Sequence, residues 1–345
     1  MRQARRRVLA AFATIVVLAS TGCSSDDATG VIRGGVKGGE PVTVAYLPGF
    51  GIIGQDAYMY VAQEKGYFAE AGLKVEIRPG QGTENNLSVL VSGKATFATV
   101  DMSGALMAYA KESGFRAVAA VYQRSVSSIT TLEGRGITRP QDLEGRRIGY
   151  QPGGVNYTLF DAYAKAVGID AKKVRWQQTS PDQLRPLLGA GKFDAVTETV
   201  IGTPGVEAFG AGRKAVVLPY SDVLSDLYGN VIVASTKTVD TNPDLVRRFR
   251  QAAVKGLMYA IDHPDEAGAI FHRHQPAYPA ATAAAETRLM ISYVRANGPD
   301  MVGAFDPSRV ARGIALLQGV GKVAPGITPE QIVAFDLNSP VATPK

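Results

Sequence analysis

The residues best able to bind a small molecule are carboxylates and aromatics set in polar or glycine-rich loops. Phe50 stands in Pro48-Gly49-Phe50-Gly51, and Gln81, Thr83 and Glu84 stand in Gln81-Gly82-Thr83-Glu84. A third loop is Asp101-Met102-Ser103. Later loops are the stretch from Gln151 through Gly153, Gly154 and Asn156 to Tyr157, then Gln178-Thr179-Ser180 and Thr197-Glu198-Thr199. Free backbone N–H groups where Gly153-Gly154 enters a helix would bind an anion or a polarised oxygen. The same glycines could serve only a tight turn. The carboxylates Glu84, Asp101 and Glu198, with Glu207 farther on, suit an amine or another donor-bearing ring. Burying one beside an anion costs several kcal/mol unless it is paired or protonated. Asp101 follows a strand and is equally placed to cap a helix, as is Glu198. Tyr46, Phe50, Tyr122, Tyr150, Tyr157, Tyr220 and Tyr228 either stack on a planar ligand or fill the core. Arg124 either pairs with an acidic ligand or bridges two halves of the molecule.

Covalent chemistry has fewer residues to work with. The three histidines, His263, His272 and His274, cluster late in the chain. His272-Arg273-His274 has no cysteine nearby and no third ligand for a metal. Neither a nucleophile elbow nor a phosphate-binding loop nor a dinucleotide fingerprint is present in a fitting context. The sequence predicts binding without catalysis, with no cofactor and no metal.

The elements that must position these loops form a weak internal repeat. Thr43–Tyr46 reads as a strand, then a helix runs from about Asp56 to Lys65, with Ala57, Tyr60, Val61 and Phe68 on one face. A strand at Val75–Arg78, a helix through Leu87 to Val91 and a strand at Phe97–Val100 complete the unit. About a hundred residues later the order recurs. Arg147–Tyr150, a helix through Phe160 and Tyr163, Val174–Gln177, a helix through Leu184 and Leu188, and Phe193–Val196 repeat it. Two βαβαβ units predict two parallel α/β lobes with right-handed crossovers. Lobe 1 is expected over 41–125 and 236–345, and lobe 2 over 126–235. Extended segments at Ala117–Ile129 and Asn230–Ser235 join them as a two-strand hinge, and a helix over Asp244–Asp262 returns to lobe 1. In open sheets of this kind ligands sit beyond the carboxyl ends of the strands, which selects the six loops above.

The N-terminus reads as an export signal. Arg2, Arg5, Arg6 and Arg7 precede an uncharged apolar stretch, Val8 to Ala19. That stretch is shorter than the roughly 20 residues a membrane-spanning helix needs and fits a signal peptide over residues 1–22. Cys23, the single cysteine of the 345 residues, has no partner for a disulfide. Its setting after Gly22 resembles the lipobox of bacterial lipoproteins, and the arginines resemble a loose twin-arginine signal. A lipid-anchored protein on the outer face of the cytoplasmic membrane is expected, with residues 23–40 as a flexible tether. Four of the arginines behind the net charge of +6 lie in residues 1–22, which hold no acidic residue, so the rest of the chain carries +2. With no basic stripe among the remainder, nucleic-acid binding is excluded, and a monomer is expected.

The phrase from Tyr58 to Phe68, with Ala71-Gly72-Leu73-Lys74-Val75 after it, resembles the NMT1/THI5-like and nitrate/sulfonate/taurine solute-binding proteins. Gly93–Phe97, Asp142–Gly149 and Asn242–Val246 extend the resemblance across roughly Val42 to Ala267. It implies a type II periplasmic-binding fold that closes like a hinge around a solute, and an ABC permease with its ATPase as partners. Sulfonate and nitrate relatives use the loop of Gly153 and Gly154 for the anion. The pyrimidine-binding branch has a glutamate in the region of Glu198 to Glu207. A pyrimidine-forming enzyme branch is implied to use a Lys and a His near the first loop and a cysteine-rich run. Tyr46–Asp56 has neither Lys nor His, and no cysteine follows Cys23. The carboxylates and aromatics favour a thiamine-pyrimidine-type nitrogen heterocycle over a sulfonate, taurine or nitrate-type anion. If Cys23 carries the lipid, Cys23→Ala abolishes metabolic labelling with a fatty acid and moves the protein from the membrane to the soluble fraction; unchanged labelling would contradict this.

Overall fold

β-branched runs such as Val42–Leu47 and Asn230–Ser235 favour strands, and Pro243–Asp262 buries one apolar face, whereas Ala57–Glu64, expected to present one face, is buried all round from Ala57 to Ala62. The computed structural model describes residues 40–338 and 341; the expected signal segment, Cys23 and nearly all of the tether fall outside them. The strands are β1 (Val42–Leu47), β2 (Phe50–Gly51), β3 (Leu73–Ile77), β4 (Gly80–Gln81), β5 (Phe97–Asp101), β6 (Phe115–Ala120) and β7 (Ser127–Leu132). They continue with β8 (Arg147–Tyr150), β9 (Arg175–Gln178), β10 (Ala195–Thr199), β11 (Ala215–Pro219) and β12 (Asn230–Ser235).

Two five-stranded sheets result, in the orders β3-β1-β5-β12-β6 and β11-β7-β10-β8-β9. Each has a parallel centre made from one copy of the repeat: β1 lies between β3 and β5, and β8 between β9 and β10. Antiparallel strands finish each sheet, β12 against β5 and β6, and β7 against β10 and β11. The chain leaves the first sheet after β6, enters the second with β7, and returns with β12. This is a mixed α/β fold of two lobes, each a sheet with its flanking helices. Among the described residues no helix is long and apolar enough to cross a membrane.

Two further expectations shift. The third strand of the second copy begins at Ala195 rather than Phe193. Phe193 is buried in the core, and the Asp194 carboxylate accepts from the Arg147 amide at 2.8 Å and pairs with its guanidinium. A turn that anchors its own side chains delays the ladder. The helical C-terminal part is also longer than Asp244–Asp262 suggests, with further helices at Pro264–His274, Ala280–Val294 and Pro307–Gly319.

The helix Pro243–Asp262 is fixed to the first lobe by Phe249. Its ring stacks on Phe97 with centroids 3.8 Å apart and planes 5° apart, and on Phe68 at 5.5 Å. Tyr46 lies beside it, its hydroxyl bonded to those of Tyr58 and Thr99. All of these rings are buried. Phe249→Ala should cost about 3–5 kcal/mol, read as a lower urea midpoint at an unchanged slope; a cost within a few tenths would contradict this packing.

Candidate functional site

Parallel sheets end with backbone carbonyls and amides that no further strand satisfies, so the loops beyond them need side-chain partners. Asn86 supplies them in the first lobe. It lies on the helix Thr83–Val91 and is fully buried. Its amide nitrogen donates to the carbonyls of Pro48, at 2.8 Å, and Thr99, at 3.1 Å, while its oxygen accepts from the Gln81 amide at 2.9 Å. One side chain thus holds the loop after β1 against the loop after β3, where β2 and β4 pair Phe50 with Gln81. Phe50 is left 41% exposed beside the cleft residue Gln81, with few core contacts to hold it. Gly80 belongs to the same knot: a Cβ there would overlap the Pro48 carbonyl.

Asn156 does the corresponding work in the second lobe. Its oxygen accepts from Ser127 at 2.9 Å, its nitrogen donates to the Glu198 carbonyl at 2.7 Å, and its own carbonyl accepts from the Tyr220 hydroxyl at 2.8 Å. Tyr220 is fully buried and stacked on Tyr163, in the core rather than in a cleft. Tyr157 stacks on Tyr150 with centroids 4.0 Å apart, and Trp176 meets both rings edge-on. Gly153 adopts φ +71°, a left-handed turn. The Gly154 amide is spent on the Gln151 carbonyl at 3.1 Å, and the helix it opens, Val155–Thr158, is a single turn. The geometry at these glycines is that of a turn.

The two loop systems face each other across a cleft of about 410 Å³. Gln81, Gly82, Thr83, Glu84 and Asn85 form the first-lobe wall; Gln151, Pro152 and Gly153 form the other. Of the sequence-selected residues, the structure brings Gln81, Thr83, Glu84 and Gly153 to this cleft. The Thr83 hydroxyl accepts from the Asp101 amide at 3.2 Å, which sets Asp101 just behind the wall. Asp101 caps the helix Met102–Ala108, accepting from the Gly104 amide at 3.0 Å. It keeps some exposed surface, yet the burial around its carboxyl pushes it up to about 6 against the pull of the Gly104 and Ser103 amides. Gly104 touches Val155 of the other lobe, since a Cβ there would sit 2.7 Å from the Val155 methyl.

Other candidates lie elsewhere. Met102 is buried beside Tyr228. Arg124 approaches the Ser221 carbonyl at 3.4 Å and Asp222 at 3.8 Å, on the return crossover. Glu198 is paired with Arg185 at 2.7 Å and accepts from the Thr199 amide, and Thr199, not Glu198, caps the following turn. Glu207 binds Lys214 and the Ala215 amide, at β11. Tyr46 and Tyr122 are core residues, the latter donating to Gln55 at 3.2 Å.

Sequence reasoning missed the buried polar groups behind the first loop. Asp56 is buried, accepts from the Ile53 amide at 3.1 Å, and is pushed by burial to about 8. Glu286 is fully buried and pushed, again by burial, to about 7. The available signal was spacing: Gly54 and Ala283 leave no room for anything larger beside Glu286, because a Cβ at Gly54 would meet both. Among the described residues no group of His, Cys, Asp or Glu is arranged to hold a metal.

An NMT1/THI5-like family model matches residues 54–267. A formylaminopyrimidine-binding protein of Halalkalibacterium halodurans is 26% identical over 211 residues, 61% of this chain and 64% of that protein. The riboflavin-binding protein RibY of Chloroflexus aurantiacus is 28% identical over 232 residues, 66% of this chain and 63% of that one. The match therefore spans just under two thirds of these two relatives. A 4-amino-5-hydroxymethyl-2-methylpyrimidine phosphate synthase of Candida albicans is 24% identical over 237 residues, 63% of this chain and 67% of the synthase. The aliphatic sulphonate binding protein SsuA of Escherichia coli superposes with a TM-score of 0.68 at 14% identity, covering 86% of this chain and 99% of SsuA. That likeness shows the fold, a periplasmic-binding arrangement of two α/β lobes.

Asn86→Leu should cost about 2–3 kcal/mol, because it strands buried carbonyls, and should speed amide exchange at Gly82, whose N–H bonds the Gly49 carbonyl; unchanged exchange would contradict its role. Asp56 has a folded pKa above its unfolded one, so its contribution to stability is complete below about pH 4 and is lost as pH rises through about 8. Asp56→Asn should therefore flatten the fall of the thermal midpoint between pH 5 and 9; an equally steep fall would show that Asp56 is not its source.

Proposed function

The chain belongs to the NMT1/THI5-like family, and we propose that it is an extracytoplasmic solute-binding lipoprotein that delivers a small organic molecule to an ABC permease and its ATPase. The supporting observation is the cleft itself. It is walled by the Gln81 and Asn85 amides, the Thr83 hydroxyl and the Glu84 carboxylate of one lobe and the Gln151 amide of the other, so one solute can bridge them and hold them together.

The wall chemistry favours a neutral or cationic ring carrying hydrogen-bond donors, of the thiamine-pyrimidine kind. Glutamines, an asparagine, Thr83 and Glu84 line the cleft, and among its described lining residues there is no Lys or Arg. The arginines nearest in the chain to its loops are engaged, Arg78 with Glu76 and Arg147 with Asp194. An anion would meet the Glu84 carboxylate with no lining cation to offset it, at several kcal/mol if left unpaired, and the Gly154 amide that could have served it is already bonded. The names of the two binding-protein relatives, for a formylaminopyrimidine and for riboflavin, point to the same class of nitrogen heterocycle. We read the chain as binding without catalysis. The pyrimidine-forming branch is tied by resemblance to Lys and His in the first loop, and Tyr46–Asp56 holds neither.

Phe50, Gln81, Thr83, Glu84, Gly153 and Tyr157 are the contacts we propose, with Asp101 supporting Thr83 from behind. A thermal-shift panel of aminopyrimidines, flavins, taurine, alkanesulfonates and nitrate tests the ligand class. A true ligand at a hundred times its Kd adds about 2.7 kcal/mol to stability, a shift of several degrees. Gln81→Ala and Gln151→Ala, one from each wall, should each weaken that binding about 3- to 10-fold, the worth of one hydrogen bond. A response to the anions alone, unaltered by both variants, would overturn the reading.

A further inference from the structure

The lobes also meet away from the open cleft, around one carboxyl. The helix Ala280–Val294 packs on the first lobe through the turn Gly54–Asp56 and the helix Pro264–His274, and it touches Val200–Gly202 and Thr203–Ala208 of the second lobe. Ile201 of the second lobe is buried in the first lobe's core. Glu286 stands on this helix, with Tyr278 and Gly54 of the first lobe against its carboxyl and the charges of Arg185 and Glu198 of the second lobe acting on it. Its Oε1 accepts from the Tyr278 hydroxyl at 2.6 Å, and its Oε2 is buried without a hydrogen bond of good geometry. On the second-lobe side the Arg185 guanidinium, paired with Glu198, lies over Gly202 and Gly205, where a Cβ would overlap it.

The charges around Glu286 are few. Asp56 faces it from the turn, and Arg185 and Glu198 face it from the second lobe. The other charged groups on the elements packed against this helix have partners of their own. Arg288 pairs with Asp265, Arg295 with Asp262, Glu266 with Lys65, Arg273 and His274 with Glu64, and Glu207 with Lys214. His272 bonds the Tyr278 carbonyl. Burial outweighs the Tyr278 hydrogen bond and the attraction of Arg185, so the carboxyl in this arrangement is pushed up to about 7. With the second lobe drawn away, the same carboxyl would meet water on that side and return toward its ordinary range.

We propose that Glu286 is a positioning residue that couples lobe closure to proton uptake: closing the second lobe over this carboxyl favours its neutral acid, so the closed form gains as pH falls through neutrality. The inference rests on the solute-binding reading only in needing lobes that open and close. The second lobe arrives at the buried acid with its own cation already matched to Glu198, so ionised Glu286 lacks a full partner of its own.

The test uses the full chain carrying Cys23→Ser, with nitroxides on Lys94→Cys and Lys192→Cys, both exposed and one on each lobe. Double electron–electron resonance then reads the closed-to-open ratio without any solute. Between pH 8 and pH 6 the ratio should rise about tenfold, as linkage gives for a group moving from the usual carboxylate range to near 7. Glu286→Gln should remove the step and hold the ratio at its acid value. Asp56→Asn, whose residue lies within the first lobe, should keep it. A parent ratio unmoved by pH, or a step that survives in Glu286→Gln, overturns the proposal and leaves solute binding intact. A single distance that no pH or variant alters overturns both.

Discussion

Two asparagines, Asn86 fully buried and Asn156 partly so, set the shape of everything around the cleft. A parallel sheet ends in loops whose polar backbone has no next strand, and the loops can approach each other only if something satisfies that backbone. Asn86 bonds Pro48, Thr99 and Gln81 in one lobe. Asn156 bonds Ser127 and Glu198 and receives Tyr220 in the other. Each uses both ends of its amide, which no apolar residue and no carboxylate could do. Because the loops are fixed from behind, the faces they turn to the cleft are free to be chosen for a ligand.

Those faces have a consistent electrostatic character. Acceptors and neutral amides line the opening, the neighbouring cations are matched within the protein, and the carboxyls set deeper are held up by burial rather than drawn down by partners. Such a site gives little to an anion and much to a ring with N–H groups. It also makes the proton a natural second ligand of the first lobe, since Asp56 and Glu286 change charge near neutrality.

Much of the fold was legible because periodicity and glycine placement report backbone geometry directly. The two βαβαβ units could be read from alternating apolar runs, and the strands fall within a few residues of their expected places. The antiparallel strands β7 and β11 were harder. Ser127–Leu132 is buried along its whole length, so it shows no alternation, and its hydroxyls are all bonded, Ser127 to Asn156, Ser128 to Thr130 and the Glu198 carbonyl, and Thr131 to the Asp194 carbonyl. The site was legible as loops but less so as side chains. Glu84 and Gly153 could be placed by topology, yet Asn156, Tyr220 and Glu198 are absorbed by partners far away in sequence. Glu286 stands in an alanine-rich helix that looks, in sequence, like any amphipathic surface segment; its burial depends on the packing of three other elements.

The central claim is that one small solute is held by both walls at once. Hydrogen–deuterium exchange, with and without the solute that gives the largest thermal shift, tests this most directly. The account predicts protection appearing together in residues 81–86 and 151–157, at one concentration dependence. Protection on one wall alone, or confined to segments outside these loops, would contradict it.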